Sequence, residues 1–198
     1  MTSLPARFFA MLPYAAAAAL LMLAPTVSAG PIALNTWLEF AVSDPGVDAT
    51  GCDPDDPNGP FCIPSSGTPT QFLDAPPWTF SAPASGASLR VTDAFESNEQ
   101  FEVFDFGASV GLTSAPAATA IVDCGDDPVV CFGTAGMSRG TFALASGSHS
   151  ITLVPVLSQG GAGYFQVVAA AVPEPGVLAL LALGLTSVAA LRSRRRSG

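Results

Sequence analysis

The chain has 198 residues, of which 16 are acidic and 7 are basic, and 49% of its residues are hydrophobic. Between Gly30 and Ala171 there are two arginines and fifteen acidic residues, so this segment has a formal charge of −13. Such a surface repels phosphate backbones, which argues against a nucleic-acid partner. Its charge is typical of a protein kept in solution by self-repulsion, and attraction of divalent cations is the alternative.

The first 29 residues are predicted to be a secretory signal peptide. Arg7 is the only charge before the apolar stretch from Phe8 to Leu23, and Val27-Ser28-Ala29 supplies small residues for cleavage. A basic start, a short apolar region and small residues at the cleavage point are the features that signal peptidase recognises. We therefore expect export, with Gly30 as the first residue after cleavage. An uncleaved anchor is the alternative.

Hydrophobic residues alternate with a period of two throughout residues 30–171, and no stripe of helical period is present. In one such stretch, Leu34, Leu38, Phe40 and Val42 fall on the same face. The predicted strands are 34–42, 78–80, 88–92, 100–106, 108–113, 140–144, 150–156 and 164–170. This pattern predicts an all-β domain, an antiparallel β-sandwich, with helix confined to the two ends of the chain.

The predicted strand 100–106 carries apolar residues on both faces. Phe101 and Val103 lie on one face, and Phe104 and Phe106 lie on the other. A strand of this kind is expected to be buried on both sides.

All four cysteines lie in the exported segment, at Cys52, Cys62, Cys124 and Cys131. An even count in an oxidising compartment predicts two disulfides. Three pairings are open, but each neighbouring pair brackets part of a long loop rich in Pro, Gly and Asp, at 44–77 and 113–138. We therefore predict Cys52–Cys62 and Cys124–Cys131, each stabilising by roughly 2–3 kcal/mol. A zinc site is the alternative, and the cysteine spacings do not fit it.

An acidic loop offers the best candidate metal site in the sequence. Its ligands would be Asp53, Asp55, Asp56 and Asn58. Calcium prefers clustered carboxylate and amide oxygens, and an exported protein meets millimolar calcium. The spacing does not match an EF-hand, and two prolines restrict the loop, so a solvated turn is the alternative. No other cofactor is expected.

Residues with catalytic potential form no recognisable motif. Ser148 and His149 are neighbours in sequence, but there is no Gly-x-Ser-x-Gly elbow, so His149 is expected to be a strand-edge histidine. The glycines at 160, 161 and 163 lack the following helix and lysine of a phosphate-binding loop. We expect no enzyme activity.

Carbohydrate chemistry would need a different set of residues. A glycosidase needs two carboxylates in one cleft. Four acidic residues near one hairpin are candidates for this pair, namely Glu96, Glu99, Glu102 and Asp105. Trp37 and Trp78 are candidates for stacking on sugars. The simpler interpretation is a solvated acidic turn and two core tryptophans.

The residues after the β domain form three parts in series. Val172, Pro173, Glu174 and Pro175 come first, fifteen uncharged and mainly apolar residues follow at 177–191, and the end is basic, with Arg192, Arg194, Arg195 and Arg196. This layout resembles the PEP-CTERM sorting signal of Gram-negative bacteria. The resemblance implies a partner, the membrane enzyme exosortase, that cleaves near Pro173-Glu174-Pro175.

The apolar segment 177–191 is predicted to be a single membrane helix. Fifteen residues at about 1.5 Å each span only about 22 Å, against about 30 Å of hydrocarbon. Such a short helix suits a temporary anchor that is removed after sorting, and an ordinary permanent anchor is the alternative. The arginines that follow are expected to remain on the cytoplasmic side.

Two further stretches resemble small secreted β-sandwich proteins, including other exported domains with this sorting signal. The first runs from Val91 to Phe95 and continues through Gln100–Gly107, and the second covers Phe142–Leu144 and Ser148–Leu153. The resemblance implies a jelly-roll or CUB-like sandwich and no named activity. The sequence therefore predicts an exported, non-catalytic surface or matrix protein, associated with exopolysaccharide. A carbohydrate- or calcium-binding module is the alternative, and a hydrolase is a more remote one.

Overall fold

The computed structural model describes residues 31–60, 62–171 and Gly176. The predicted signal peptide, sorting motif, membrane helix and basic end lie outside the described residues. Within them the fold is all-β with antiparallel sheets, as the alternating pattern predicted.

The described chain contains twelve strands and one short helix. In order they are β1 (Trp37–Val42), β2 (Thr50–Gly51), β3 (Thr70–Phe72), β4 (Trp78–Ala82), β5 (Ala87–Asp93), β6 (Phe95–Glu96), β7 (Gln100–Asp105), β8 (Ala108–Leu112), β9 (Asp123–Gly125), α1 (Pro128–Gly133), β10 (Arg139–Leu144), β11 (Gly147–Leu157) and β12 (Gly161–Ala169). The eight predicted strands correspond to β1, β4, β5, β7, β8, β10, β11 and β12. The other four are very short: β2, β3 and β9 lie in the two long connections, and β6 lies between β5 and β7.

Two larger sheets carry most of the fold. One has the order β10-β5-β12-β1-β2, with β3 added parallel to β1, and the other has the order β4-β11-β7-β8. A separate two-stranded ribbon joins β6 to β9. Except for β1 with β3, the strand pairs are antiparallel. Among the described residues, β4 and β8 are therefore the edge strands of the four-stranded sheet.

The two larger sheets share one hydrophobic core, and Phe40 lies at its centre. The Phe40 ring, on β1, is 5.3 Å from the Phe101 ring and 6.0 Å from the Trp78 ring, both on the opposite sheet. Gly163 faces Phe40 across the β1–β12 pair. A Cβ atom on Gly163 would overlap the Phe40 ring, so this strand position requires glycine. Gly163, within the glycine-rich stretch, thus serves core packing.

Strand β1 is buried on both faces, whereas β7 is not. All six residues of β1 are buried, because its outer face lies beneath the two disulfide-linked segments. On β7, Phe101 and Val103 are fully buried but Phe104 is only half-buried, and Phe106 is 68% exposed. Phe106 falls in the turn after the strand, with a positive φ of 48°. The prediction that strand 100–106 is buried on both sides was therefore wrong.

The expectation that helix is confined to the chain ends was also wrong, because α1 interrupts the second long loop. Asp127 caps this helix: its Oδ1 accepts hydrogen bonds from Val129 N at 2.8 Å and Val130 N at 3.4 Å. Pro128 occupies the first turn, where no N–H is needed. The Asp-Pro pair was a readable helix-start signal.

The first testable prediction concerns the shared core. Phe40→Ala removes a fully buried ring that contacts both sheets, and we expect it to lower the free energy of unfolding by about 3–5 kcal/mol. Phe106→Ala is the matched control, because that ring is 68% exposed, and we expect a change within about 0.5 kcal/mol. Urea denaturation followed by tryptophan fluorescence measures both. Equal effects of the two substitutions would contradict this core assignment.

Candidate functional site

The described domain ends directly before the predicted sorting motif. Ala170 N donates to the carbonyl of Gly86 at 3.0 Å, and the Ala170 carbonyl accepts from Ser85 Oγ at 2.8 Å. Only Ala171 and Val172 separate this anchored residue from Pro173. The motif and stop residues themselves, Val172, Pro173, Glu174, Pro175, Arg192, Arg194, Arg195 and Arg196, lie outside the described residues, as does the helix predicted at 177–191. Their roles stay predictions from sequence.

Both predicted disulfides are present in the structure. Cys52 is bonded to Cys62 with a Cα–Cα distance of 5.9 Å, and Cys124 is bonded to Cys131 with a Cα–Cα distance of 4.9 Å. The first pair packs against Ala41 on the outer face of β1, and the second packs in a cluster with Trp37 and Tyr164. The disulfides therefore fasten two loops over one face of the six-stranded sheet.

The acidic loop forms local turns. Asp53 Oδ1 accepts from Asp55 N, and Asp56 Oδ1 accepts from Asn58 N, both at 2.9 Å. These residues are exposed. Within the described chain, the carboxylates of Asp53, Asp55 and Asp56 are not part of any group of three metal-ligating side chains within 4.8 Å. Calcium binding at Asp53, Asp55, Asp56 and Asn58 stays a prediction, and the observed hydrogen bonds are those of turn-forming residues.

His149 makes two hydrogen bonds that occupy both of its ring nitrogens. Nδ1 lies 2.7 Å from Asp105 Oδ2, and Nε2 lies 2.9 Å from the Ala145 carbonyl oxygen. Both partners are acceptors, so the arrangement favours the doubly protonated ring. Burial alone would lower the pKa of His149, but the bonds to Asp105 and Ala145 outweigh it and raise the pKa above 6.5.

This geometry does not suit a general base. A catalytic histidine needs a free nitrogen lone pair beside its nucleophile, and both His149 nitrogens are engaged. Ser148 is exposed and His149 is buried, because neighbouring side chains on β11 point to opposite faces of the sheet. The two residues are therefore neighbours in sequence only. Stacking of His149 on Phe80, with ring centroids 5.0 Å apart, indicates a structural role.

The four acidic residues predicted from sequence have different surroundings in the structure. Glu96 is exposed, Glu102 accepts from Ser109 Oγ at 2.6 Å, and Asp105 is bound to His149. Glu99 alone lies beside another carboxyl group, that of Asp93, which the sequence reasoning did not single out. The strand period offered a signal, because Asp93 continues the inward-facing positions of β5.

The two tryptophans are not available for stacking on a sugar. Trp78 is fully buried in the core between the sheets. Trp37 is 4% exposed and packs on the outer face of β1, where its ring lies 5.8 Å from Phe132. Both are core residues.

A second buried acid, Glu39, was also missed. It lies on the outer face of β1, is fully buried, and its Oε1 accepts from Ile63 N at 3.2 Å. Burial raises the pKa of Glu39 to about 7, and the negative charge of Asp126 adds to this effect. Glu39 lies within 4.8 Å of both Cys52 and Cys62, but sulfurs joined in a disulfide offer no thiolate to a metal.

An apolar cavity of about 410 Å³ lies at the margin of the same outer face. Its lining residues are Ala41, Val42, Pro60, Ile63, Phe95, Gly161 and Ala162. None of these side chains carries a hydrogen-bonding group. The lining is therefore poorly matched to sugar hydroxyls.

The second testable prediction concerns cysteine pairing. A protease that cuts before aspartate cleaves between the members of each predicted pair, before Asp53 in one loop and before Asp126 in the other. Non-reducing mass spectrometry should then show two linked peptide pairs, Cys52 with Cys62 and Cys124 with Cys131, each separating after reduction. A peptide joining Cys52 to Cys124 or Cys131 would show that the pairing is wrong.

The third testable prediction concerns pH. Because the pKa of His149 is higher in the folded protein, its bond to Asp105 stabilises fully below about pH 6.5 and weakens as the pH rises through the folded-state value. We expect Asp105→Asn to lower the free energy of unfolding by about 1.5–3 kcal/mol at pH 6 and by less at pH 9. Urea denaturation at both pH values measures this.

The control for the pH experiment is Glu102→Gln, which removes a carboxylate that lies on the outer side of the same strand and contacts Ser109. Its effect should be similar at the two pH values. If the effect of Asp105→Asn were also the same at pH 6 and pH 9, the His149 assignment would be wrong.

Among the described residues, no helix is long and apolar enough to cross a membrane. The predicted membrane helix at 177–191 lies outside them.

Residues 171–196 match the family model of the PEP-CTERM protein-sorting motif. No curated protein and no solved structure is significantly similar to the chain. The match confirms the resemblance seen in the tail, and this motif indicates bacterial export, processing by exosortase and a surface or extracellular location. The chain is thus a protein with a PEP-CTERM sorting motif, exported and targeted to exosortase.

Proposed function

We propose that this chain is a non-catalytic protein of the cell surface or the extracellular matrix. One observation carries the proposal: the sorting motif at 171–196 begins directly after β12, the last strand of the described β domain. A domain joined so closely to a sorting motif is the cargo that the motif delivers.

The proposed route of delivery has three steps. Signal peptidase removes residues 1–29 as the chain crosses the inner membrane of a Gram-negative bacterium. The segment 177–191 then holds the chain in that membrane, with Arg192 and the later arginines on the cytoplasmic side. Exosortase cleaves near Pro173-Glu174-Pro175, where two prolines disfavour helix and leave an accessible backbone. The released domain joins the cell surface or an exopolysaccharide matrix.

The polar side chains of the β domain support a non-catalytic role. Both ring nitrogens of His149 are hydrogen-bonded, and Glu102 accepts a hydrogen bond from a serine. Both tryptophans are packed in the interior. These groups contribute to packing and to hydrogen bonding within the domain. We assign the domain to the jelly-roll or CUB-like class of sandwiches, on the resemblance of its strand sequences to small secreted proteins.

A carbohydrate- or calcium-binding module is the rival function. The acidic loop at 53–58 and the strong negative charge favour cation binding, whereas the buried tryptophans disfavour sugar stacking. A glycan array, run with and without calcium, distinguishes such a module from the proposed surface or matrix protein. Calcium-dependent binding to one class of glycan would favour the module. A hydrolase is the weaker rival, because two of the acidic residues expected to form a catalytic pair, Glu102 and Asp105, are hydrogen-bonded to Ser109 and His149.

The fourth testable prediction concerns the motif. Replacing Pro173, Glu174 and Pro175 by alanine removes the two prolines and favours helix through the motif. In a host that carries exosortase, we expect this variant to insert but to accumulate uncleaved in the membrane fraction. Immunoblots of membrane and extracellular fractions measure the distribution.

The matched control replaces Pro54, Asp55 and Asp56 by alanine. This triplet also contains proline and acidic residues, but it is exposed in the first disulfide loop. The control should be cleaved and released like the unaltered chain. Normal release of the 173–175 variant would contradict recognition of this motif.

A further inference from the structure

Two carboxyl groups are buried together at one end of the core between the sheets. Asp93 ends β5 and is 0% exposed, and Glu99 precedes β7 and is 2% exposed. Along their strands they continue the inward-facing positions of Val91 and Phe101. We call Asp93 and Glu99 the acid pair. Apolar side chains usually occupy such positions, so two carboxyl groups there need an explanation.

The loop between the two residues wraps around Asp93. Asp93 Oδ1 accepts a hydrogen bond from Ala94 N at 2.9 Å. Asp93 Oδ2 accepts hydrogen bonds from Asn98 N and Glu99 N, both at 3.0 Å. Oδ2 is therefore saturated, whereas Oδ1 keeps one lone pair. The same loop thus holds the carboxylate of Asp93 and places Asn98 and Glu99 next to it.

Two oxygens of this loop are buried without a hydrogen-bond partner among the described residues. They are Glu99 Oε1 and Asn98 Oδ1. Gly161 lies against Glu99, where even a Cβ atom would come 3.3 Å from Oε1. A buried polar atom without a partner is rare in folded proteins, and a bound water or ion is one way to satisfy it.

No basic side chain neutralises the acid pair. The only ion pair within the described part of the chain joins His149 to Asp105. Two neighbouring buried carboxylates cannot both stay ionised in a low-dielectric interior without a proton or a cation. The pair therefore requires a positive partner.

Solvent has a route to this loop. An open cavity of about 390 Å³ is lined by Ser97, Asn98 and Gln159, together with residues 116–121. Asn98 lines this cavity, whereas Asp93 and Glu99 do not, and its volume has room for an ion and several water molecules. The ligand atoms that the side chains of Asp93, Glu99 and Asn98 can offer to a cation are oxygens, which is the chemistry of a hard cation and not of zinc or copper.

We propose that Asp93, Glu99 and the side-chain carbonyl of Asn98 form a Ca²⁺ site that closes this end of the β domain. Calcium accepts an irregular shell of six to eight oxygens with several waters, whereas magnesium demands near-ideal octahedral geometry. The compartment outside the membrane supplies calcium at millimolar concentration. This site is distinct from the exposed loop 53–58, and its existence does not depend on cleavage by exosortase.

The experiment titrates CaCl₂ into the full chain, purified in detergent, at pH 7.5 after treatment with EDTA. Isothermal titration calorimetry should show one site with a Kd of roughly 0.1–1 mM, the range of extracellular calcium modules. Calcium at 10 mM should raise the melting temperature by about 4–8 °C. Magnesium at the same concentration should have a much smaller effect.

Two variants locate the site. Glu99→Gln keeps the shape but removes one charge, and it should weaken calcium binding at least tenfold and abolish the thermal shift. Asp55→Asn alters the exposed loop and should bind calcium like the unaltered chain. Asn98→Ala keeps the backbone N–H that donates to Asp93, so we expect this variant to fold and to bind calcium several-fold more weakly. It serves in place of Glu99→Gln if that variant does not fold.

The outcomes are exclusive. If calcium changes the melting temperature of neither the unaltered chain nor the variants, the acid pair shares a proton and the proposal is wrong. In that case Glu99→Gln should melt at or above the temperature of the unaltered chain in EDTA. If Asp55→Asn loses calcium binding while Glu99→Gln keeps it, the cation binds the acidic loop 53–58, which also overturns the proposal.

Discussion

The burial of β1 on both faces is the constraint on which the rest of the structure depends. Its inner face carries Phe40 into the core between the sheets, and its outer face carries Trp37, Glu39 and Ala41 beneath the disulfide-linked loops. A sheet with one bare apolar face would need a partner. Here the two loops supply the cover, and each disulfide holds its loop in place. The long connections are therefore a third layer of the fold.

Buried charge marks the places where this layered packing departs from an ordinary apolar core. Glu39 lies under the first disulfide, the acid pair closes one end of the core, and His149 with Asp105 lies where β11 meets β4 and β7. The ion pair of His149 and Asp105 satisfies its own charges. The acid pair lacks a basic neighbour, so a cation or a proton must complete it. Its properties therefore depend on the medium that the domain meets after export.

The sequence predicted the main strands, both disulfide pairings and the sorting motif, because each has a local signature. Alternation placed Leu38 and Phe40 on one face of a strand, and both are buried. The four cysteines fall into two pairs of near neighbours in sequence, and these pairs are the ones that are bonded. The sequence did not predict the cover over β1, since Glu39 made an otherwise apolar strand look half-exposed. It also missed the pairing of Asp93 with Glu99, because burial of a carboxyl group is set by tertiary contacts. The helix α1 was missed despite its Asp127-Pro128 start, because it is only six residues long.

The central claim is that the β domain is cargo cut from its own membrane segment at the sorting motif. Intact mass spectrometry of the unaltered protein, recovered from the cell surface or medium of a host with exosortase, tests it most directly. The account predicts a species that begins at Gly30 and lacks residues 177–198, and a longer membrane-bound species when exosortase is deleted. Recovery of surface protein that still ends at Gly198 in the presence of exosortase would contradict the account.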